Sequence, residues 1–466
     1  MTITSYGAAG GVTGSKHLIA TGRATVLLDC GIFQGPGSQG RNRDIPFPPT
    51  SVDAVVISHA HTDHTAMLPV LVREGFAGRV FATAATRDVM RHILTDSAMI
   101  AMEDAAYKRR HAIGDAEDWE PTMTPRDVTR AMERVDVLPY ARDNDAWHEI
   151  ADGVTLKFYD AGHILGSSVI VLRLRGDDGE RTLCFSGDLG ARHVPILRDP
   201  EVPREPCTTL LCETTYGDQA HPSFDGAIDA LADAVTRGVA RGAKIIVPAF
   251  SLGRTQLLVY LLHKLVNAGR IPSVPIVIDS PLATELTEVF EQYRDTFDAQ
   301  SREDFPSTST SPLTFHELRS THSIEESKAL NDVAGPIVII SASGMMTNGR
   351  IVHHLRHNIA DATAMILITG YQAEGTTGRA ILDGAPQVEL HGETYPVRAE
   401  VVHFEAFSAH ADQGQLLAWA GAIPGIRHAI LVHGEQTPRS TFANVLAAAH
   451  PDWRIDAPGE GDTLPL

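Results

Sequence analysis

The chain is short of cysteine, of positive charge and of long apolar runs, and each shortage narrows what it can be. Its 466 residues include four cysteines, Cys30, Cys184, Cys207 and Cys212. No two form a C-x-x-C pair, which argues against a zinc ribbon or a thioredoxin-type motif. They are expected to be reduced, partly buried small hydrophobes. No apolar run approaches the ~20 residues of a membrane span, so no membrane partner is expected. Met1-Thr2-Ile3-Thr4-Ser5 has neither the basic flank nor the apolar stretch of a secretory signal. These absences point to a cytoplasmic protein. Lys and Arg number 39 against 58 Asp and Glu, a formal net charge of −19. Loose attachment to nucleic acid depends on Lys and Arg, so this balance argues against it, although bound metal ions add charge that the sum omits.

What is present is a globular composition, 43% hydrophobic and 21% charged, long enough for two or three domains. Apolar runs at Ala24–Asp29 and from Val52 to Ser58 read as buried strands with polar groups at their C-terminal ends. Met67 to about Arg134 reads as mostly helical, with a polar loop or lid near Arg109–Pro125. Strands return at Thr155–Tyr159, Ser168–Leu174 and Arg181–Ser186. From about residue 211, apolar runs at Lys244–Phe250, Val274–Ser280, Pro336–Ser343 and Ala364–Gly370 are each followed by Gly- or Ser-bearing turns. Helical patterns follow at least the first three, the alternation of a parallel α/β sheet.

The densest chemical signal is His59-Ala60-His61-Thr62-Asp63-His64, four potential metal ligands in six residues. His59 and His61 point the same way from an extended segment. Asp63 and His64 fall just inside a helix start, where the turn brings them back beside the first pair. This mixed nitrogen and oxygen set suits zinc. His163 and Asp188 follow strand-like runs and are further ligand candidates. Asp29, at a strand end, is a candidate for orienting a ligand histidine. His353, His354 and His357 have helical spacing and no evident partners, which favours a surface or cap face.

In their order along the chain, these motifs resemble those of the metallo-β-lactamase superfamily. The resemblance implies an αββα sandwich with metals at one edge of its two sheets. Glu213, His410 in Phe407-Ser408-Ala409-His410-Ala411-Asp412 and His433 resemble the three extra motifs of the β-CASP branch, whose members act on nucleic acid. The expected organisation is a sandwich over 1–210 and 393–466, with an inserted parallel α/β β-CASP domain over 211–392 as a cap. The chain looks closest to bacterial and archaeal relatives of the endonuclease subunit of the cleavage and polyadenylation factor. It is expected to lack the N-terminal RNA-binding extension of the archaeal members and the long C-terminal domain of ribonuclease J.

The resemblance implies two Zn²⁺ ions, one held by His59, His61 and His163, the other by Asp63, His64 and His433, with Asp188 bridging. A bridging water is the expected nucleophile, His410 the general acid, and Glu213 its orienting partner. Cleavage then leaves 5′-phosphate and 3′-hydroxyl ends. His433 at the third extra motif favours RNA over DNA. In the cap, Ser343, Gly344, Arg350, Gly375, Thr376 and Arg379 are candidate phosphate contacts, because Gly and Ser turns at helix starts present N–H groups and Arg binds bidentately. The expected partner is single-stranded RNA held by a few contacts in a cleft, with a small salt slope; the chain itself is expected to be a monomer or homodimer. Alternatives are a 5′-to-3′ exoribonuclease or DNA nuclease of the same family, a small-molecule metallo-hydrolase, or a non-catalytic scaffold.

Overall fold

The computed structural model describes every residue except 36, 37, 39, 115–118, 306–310 and 371. The chain divides into two compact units. The first comprises Met1–His193, Asp199–Ala220 and His410–Leu466, and the second comprises Val194–Arg198 and His221–Ala409.

Two seven-stranded sheets build the first unit. One runs, in spatial order, Thr463–Pro465, Thr2–Gly7, Lys16–Ala20, Thr25–Leu28, Ala54–Val56, Arg79–Ala82 and Val135–Val137. The other runs Arg454–Asp456, His428–Val432, Thr209–Glu213, Gly179–Phe185, Ser168–Gly176, Val154–Asp160 and His148–Ala151. Alternation along Ser168–Gly176 shows how they pack. Ile170, Leu172 and Leu174 join a core with Ile19, Val26, Leu28 and Val56 of the first sheet. Val169 and Val171 instead join Leu416, Trp419, Ala420, Phe442 and Leu446 of the helices Gln413–Ala422 and Gln436–Ala449. A strand covered on both faces reads as a continuous apolar run, and each such aliphatic side chain contributes about 1.5–3 kcal/mol of burial. The architecture is the αββα sandwich.

The second unit holds an all-parallel sheet in the order Leu318–Ser320, Ile276–Asp279, Ile337–Ser341, Lys244–Pro248, Met365–Ile368 and Glu400–His403. Strand pairing shifts both boundaries from those read in the sequence. Thr209–Glu213 pairs with Gly179–Phe185 and His428–Val432 in the first unit, so the main part of the second unit begins at His221 rather than 211. Glu400–His403 pairs with Met365–Ile368, so the chain leaves this unit at Ala409 rather than 392.

The stretch Met67–Arg134 is helical at Leu68–Arg73, Ala84–His111 and Pro125–Met132, but Arg79–Ala82 is a strand. Four residues between two helices are too few to show a period of their own. The polar loop near Arg109–Pro125 includes 115–118, which lie outside the described residues. All four cysteines are free and buried. Among the described residues no helix is long and apolar enough to cross a membrane.

Candidate metal centre

The ligand candidates and the acids that support them lie in the first unit, at the C-terminal ends of strands or on the loops just beyond them. Asp29 follows Thr25–Leu28, His59–His64 follow Ala54–Val56, His163 follows Val154–Asp160, Asp188 follows Gly179–Phe185, Glu213 closes Thr209–Glu213, and His433 follows His428–Val432. Two glycines let these loops crowd together. A Cβ on Gly31 would lie 1.6 Å from the Asp63 carbonyl oxygen, and one on Gly190 would lie 2.0 Å from that of Gly162. Neither position accepts a side chain without moving a ligand-bearing loop.

The donors form two groups that meet at Asp188. His59 Nε2 and His163 Nε2 lie 3.1 and 3.3 Å from His61 Nδ1. The same two Nε2 atoms are 3.5 and 3.6 Å from Asp188 Oδ2. On the other side, His64 Nε2 is 3.1 Å from His433 Nε2 and 3.4 Å from Asp188 Oδ1, and Asp63 Oδ2 is 3.7 Å from His433 Nε2. The two carboxylate oxygens of Asp188 thus face different histidine groups.

Supporting side chains set the tautomers. Asp29 accepts hydrogen bonds from the Ser58 N–H at 2.8 Å, the Ser58 hydroxyl at 2.9 Å and the Ser15 hydroxyl at 3.3 Å. It also accepts from His64 Nδ1 at 2.7 Å, which turns His64 Nε2 towards Asp188 as the nitrogen that would bind a metal on losing its proton. Because the Ser58 hydroxyl donates to Asp29, it accepts from His59 Nδ1 at 3.0 Å, and His59 Nε2 is likewise turned inward as a base. His433, at a positive φ of 47°, donates its N–H to the Ala8 carbonyl at 2.6 Å and has Thr215 Oγ1 3.2 Å from Nδ1. Sequence reading placed Asp29 here but missed Ser15, Ser58 and Thr215. Serine and threonine are ordinary beside strand ends, and only the adjacency of Ser58 to His59 offered a signal.

Does this pocket fit cations? Asp188 Oδ1 is buried yet makes no hydrogen bond, which is costly unless a cation meets it. Burial, reinforced by neighbouring histidines, holds the His59 imidazole well below its ordinary value. Burial likewise brings His61 down to about 4. Burial also opposes charge on His64, but Asp188 and Asp29 outweigh it and raise that imidazole to about 10. Neutral imidazoles at His59 and His61, beside carboxylates whose field draws positive charge onto His64, make a set that divalent metal ions fit, an ion taking the place of the His64 proton.

Beside this set, His410 Nδ1 lies 3.2 Å from Glu213 Oε1. An isolated bridge ties His410 to Gly190, and the Ala411 N–H donates to the Leu189 carbonyl at 2.8 Å. Glu213 is wholly buried and also accepts from the N–H groups of Leu189 at 2.7 Å and Thr215 at 3.1 Å. Burial disfavours charge on His410, yet Glu213, with Asp188 and Asp63, outweighs it and raises the imidazole to about 9. The His410 ring centroid is 4.5 Å from that of His163.

The candidate phosphate contacts all lie in the second unit. Ser343 and Gly344 follow the strand Ile337–Ser341, and Thr376 caps the helix Thr377–Leu382 by accepting the Arg379 N–H at 3.2 Å. Gly375 has a φ of 78° and no heavy atom within 4 Å of a would-be Cβ. Arg379 pairs with Asp383 through two 2.9 Å contacts. Arg350 is the correction. Its Nη1 donates to Asp279 Oδ1 at 2.7 Å and Thr321 Oγ1 at 2.9 Å, because the fully buried Asp279 carboxylate needs a counter-charge. His354 is also not on the surface. It is 1% exposed, with Nε2 2.6 Å from Asp279 Oδ2. Residue 371 lies outside the described residues.

Fold and donor set together define a metal-dependent hydrolase. The family model "Metallo-beta-lactamase superfamily" matches residues 10–249, "Beta-Casp domain" matches 255–381, and "Zn-dependent metallo-hydrolase RNA specificity domain" matches 394–458. The chain is 35% identical over 462 residues to "Ribonuclease TTHA0252" of Thermus thermophilus, covering 99% of each. It is 30% identical to "Transcription termination factor FttA" of Methanocaldococcus jannaschii over 95% of this chain and 68% of that one. It is 28% identical to "Cleavage and polyadenylation specificity factor subunit 3-I" of Arabidopsis thaliana over 97% of this chain and 62% of that one. The chain belongs to the β-CASP ribonuclease family of the metallo-β-lactamase superfamily.

Proposed function

We propose that the chain cuts single-stranded RNA internally with two zinc ions, leaving 5′-phosphate and 3′-hydroxyl ends. The carrying observation is Asp188, whose two oxygens face the two histidine groups while Oδ1 has no hydrogen bond. His59, His61 and His163 would hold one ion, Asp63, His64 and His433 the other, and Asp188 both. When bound, such ions lower the pKa of water and offset charge on the phosphoryl oxygens.

The chain's own residues supply positioning and protons. Ser58 and Asp29 keep His59 and His64 with Nε2 inward. With Nδ1 engaged by Glu213, protonated His410 keeps a proton on Nε2 for the departing 3′ oxygen. Glu213 is fixed by two backbone N–H groups, so it orients that imidazole and favours its charged form. Ser343, Gly344, Gly375, Thr376 and Arg379 remain the proposed phosphate contacts, without Arg350. The names of the relatives support RNA as substrate.

Cleavage of 5′-labelled RNA bearing phosphate, triphosphate or hydroxyl ends, with an EDTA control, tests this reading. Discrete internal fragments from all three are expected. Mononucleotides released only from 5′-phosphate RNA would replace it with a 5′-to-3′ exonuclease, and faster cutting of single-stranded DNA with a DNA nuclease.

A further inference from the structure

Exposed large apolar side chains are not scattered over this chain. Of the ten among the described residues, Met99, Ile100, Met102 and Tyr107, in the C-terminal part of the helix Ala84–His111, and Ile113, just beyond its Ala112 cap, fall within fifteen residues. The N-terminal half of that helix is packed, with Ala85, Thr86, Val89, Met90, Ile93, Leu94 and Ala98 buried at helical spacing. Beyond Ala98, Ala105 is the one buried position described. Met99, Glu103, Ala106 and Arg110 recur there at intervals of four, three and four, with Ile100 and Tyr107 alongside, and all six are exposed. This is the spacing of a helix-pairing seam. Neither Glu103 nor Arg110 makes an ion pair among the described residues, whereas nearby Asp104 and Arg109 pair with Lys108 and Glu120.

The order of these residues is self-complementary. An antiparallel copy of the helix, related by a two-fold axis between Ala106 and Tyr107, sets Tyr107 over the small Ala106 and Glu103 opposite Arg110. It also brings Ile100 towards the capped end that carries Ile113. A parallel copy would set Glu103 against Glu103 and Arg110 against Arg110. We propose that this face pairs with the same face of a second copy of the chain, in the antiparallel two-fold arrangement. Isologous contacts of this kind are the commonest route to homodimers. The seam spans about four helical turns, a small interface, so the dimer is weak and concentration-dependent.

Sedimentation velocity on the full chain, from micromolar to submillimolar concentration, tests this. The wild type should shift from monomer to dimer across the series. Glu103→Arg and Arg110→Glu should each abolish the shift, because each places like charges opposite one another. The double variant E103R/R110E should restore it, since the pair is only exchanged. Circular dichroism of each variant in its dilute, monomeric state should match wild type, which separates lost pairing from lost folding. A wild type that stays monomeric throughout overturns the proposal. So does a dimer indifferent to both charge reversals, or a double variant that fails to recover. Binding of the monomeric chain to phospholipid vesicles through Ile100 and Tyr107 would also overturn it, assigning the face to a membrane instead.

Discussion

Asp188 in the first unit and Asp279 in the second are the same residue type in nearly the same place, at or just beyond the C-terminal end of a buried strand with histidine close by. Their surroundings differ in one respect. Asp279 is fully satisfied: Oδ1 accepts from Arg350 and Thr321, and Oδ2 accepts from Ser327 at 2.7 Å and His354 at 2.6 Å. Asp188 Oδ1 accepts none, although His64 Nε2 and His433 Nδ1 stand 3.4 and 3.3 Å away. A satisfied buried carboxylate holds a fold together, whereas an unsatisfied one ringed by imidazole nitrogens marks a place for a cation.

The largest effect separates the two directly. Asp188→Ala should abolish RNA cleavage and lower bound metal, measured by plasma mass spectrometry, while the metal-free protein melts no lower than wild type. Loss of a buried carboxylate whose Oδ1 accepts no hydrogen bond removes a desolvation cost, and His64, which Asp188 helps to charge, can give up its proton in response. A large drop in the metal-free melting temperature would make Asp188 structural and erase the contrast. Next is His410→Ala, which should keep its metal and lose about 10²–10⁴-fold in cleavage rate, the span for one acid–base group. Metal lost in parallel with activity would make His410 a ligand.

Much of this contrast was legible in sequence on the first unit's side. His59-Ala60-His61-Thr62-Asp63-His64 packs its donors into adjacent positions, so local spacing alone brings them together. Glu213 and His410 are 197 residues apart, and they entered through resemblance of their motifs to a family, not through spacing. Asp279 was invisible. Its partners Thr321, Ser327, Arg350 and His354 are 42 to 75 residues away, brought to it by the parallel sheet and its crossover helices. Arg350 was read as a phosphate contact because a Gly–Arg pair at a helix start looks the same whether the guanidinium meets a ligand or a buried carboxylate. Sequence shows which groups can bear charge, while the fold decides which charges are already met.

Asp29→Asn sharpens the boundary between the two kinds of carboxylate, because Asp29 is both satisfied and part of the centre. It should weaken metal affinity by about 10–100-fold, the usual cost of removing a partner that orients a ligand. Zinc titration against a competing chelator measures it. No change would mean that the Asp29 charge is not needed to orient His64, and that Ser58 orients His59 without it.

The smallest effect at neutral pH becomes informative under acid. Asp279→Ala should cost about 3–5 kcal/mol in urea unfolding, the range for stranding a buried ionic partner, with bound metal unchanged. Burial raises the Asp279 carboxyl, but hydrogen bonds from His354, Thr321, Ser327 and Arg350 outweigh it and hold the group well below the ordinary carboxylate range. A carboxyl depressed on folding contributes stability that is fully present above its unfolded value, near 4, and is lost as pH falls through its folded value. The gap between wild type and Asp279→Asn should therefore stay constant from neutral pH down to about 5 and narrow steadily below about 4. A gap that widened on acidification would mean that the carboxyl is protonated in the folded chain at neutral pH. Asp279 would then be a hydrogen-bond donor in its cluster, and the contrast with Asp188 would rest on charge rather than on satisfaction.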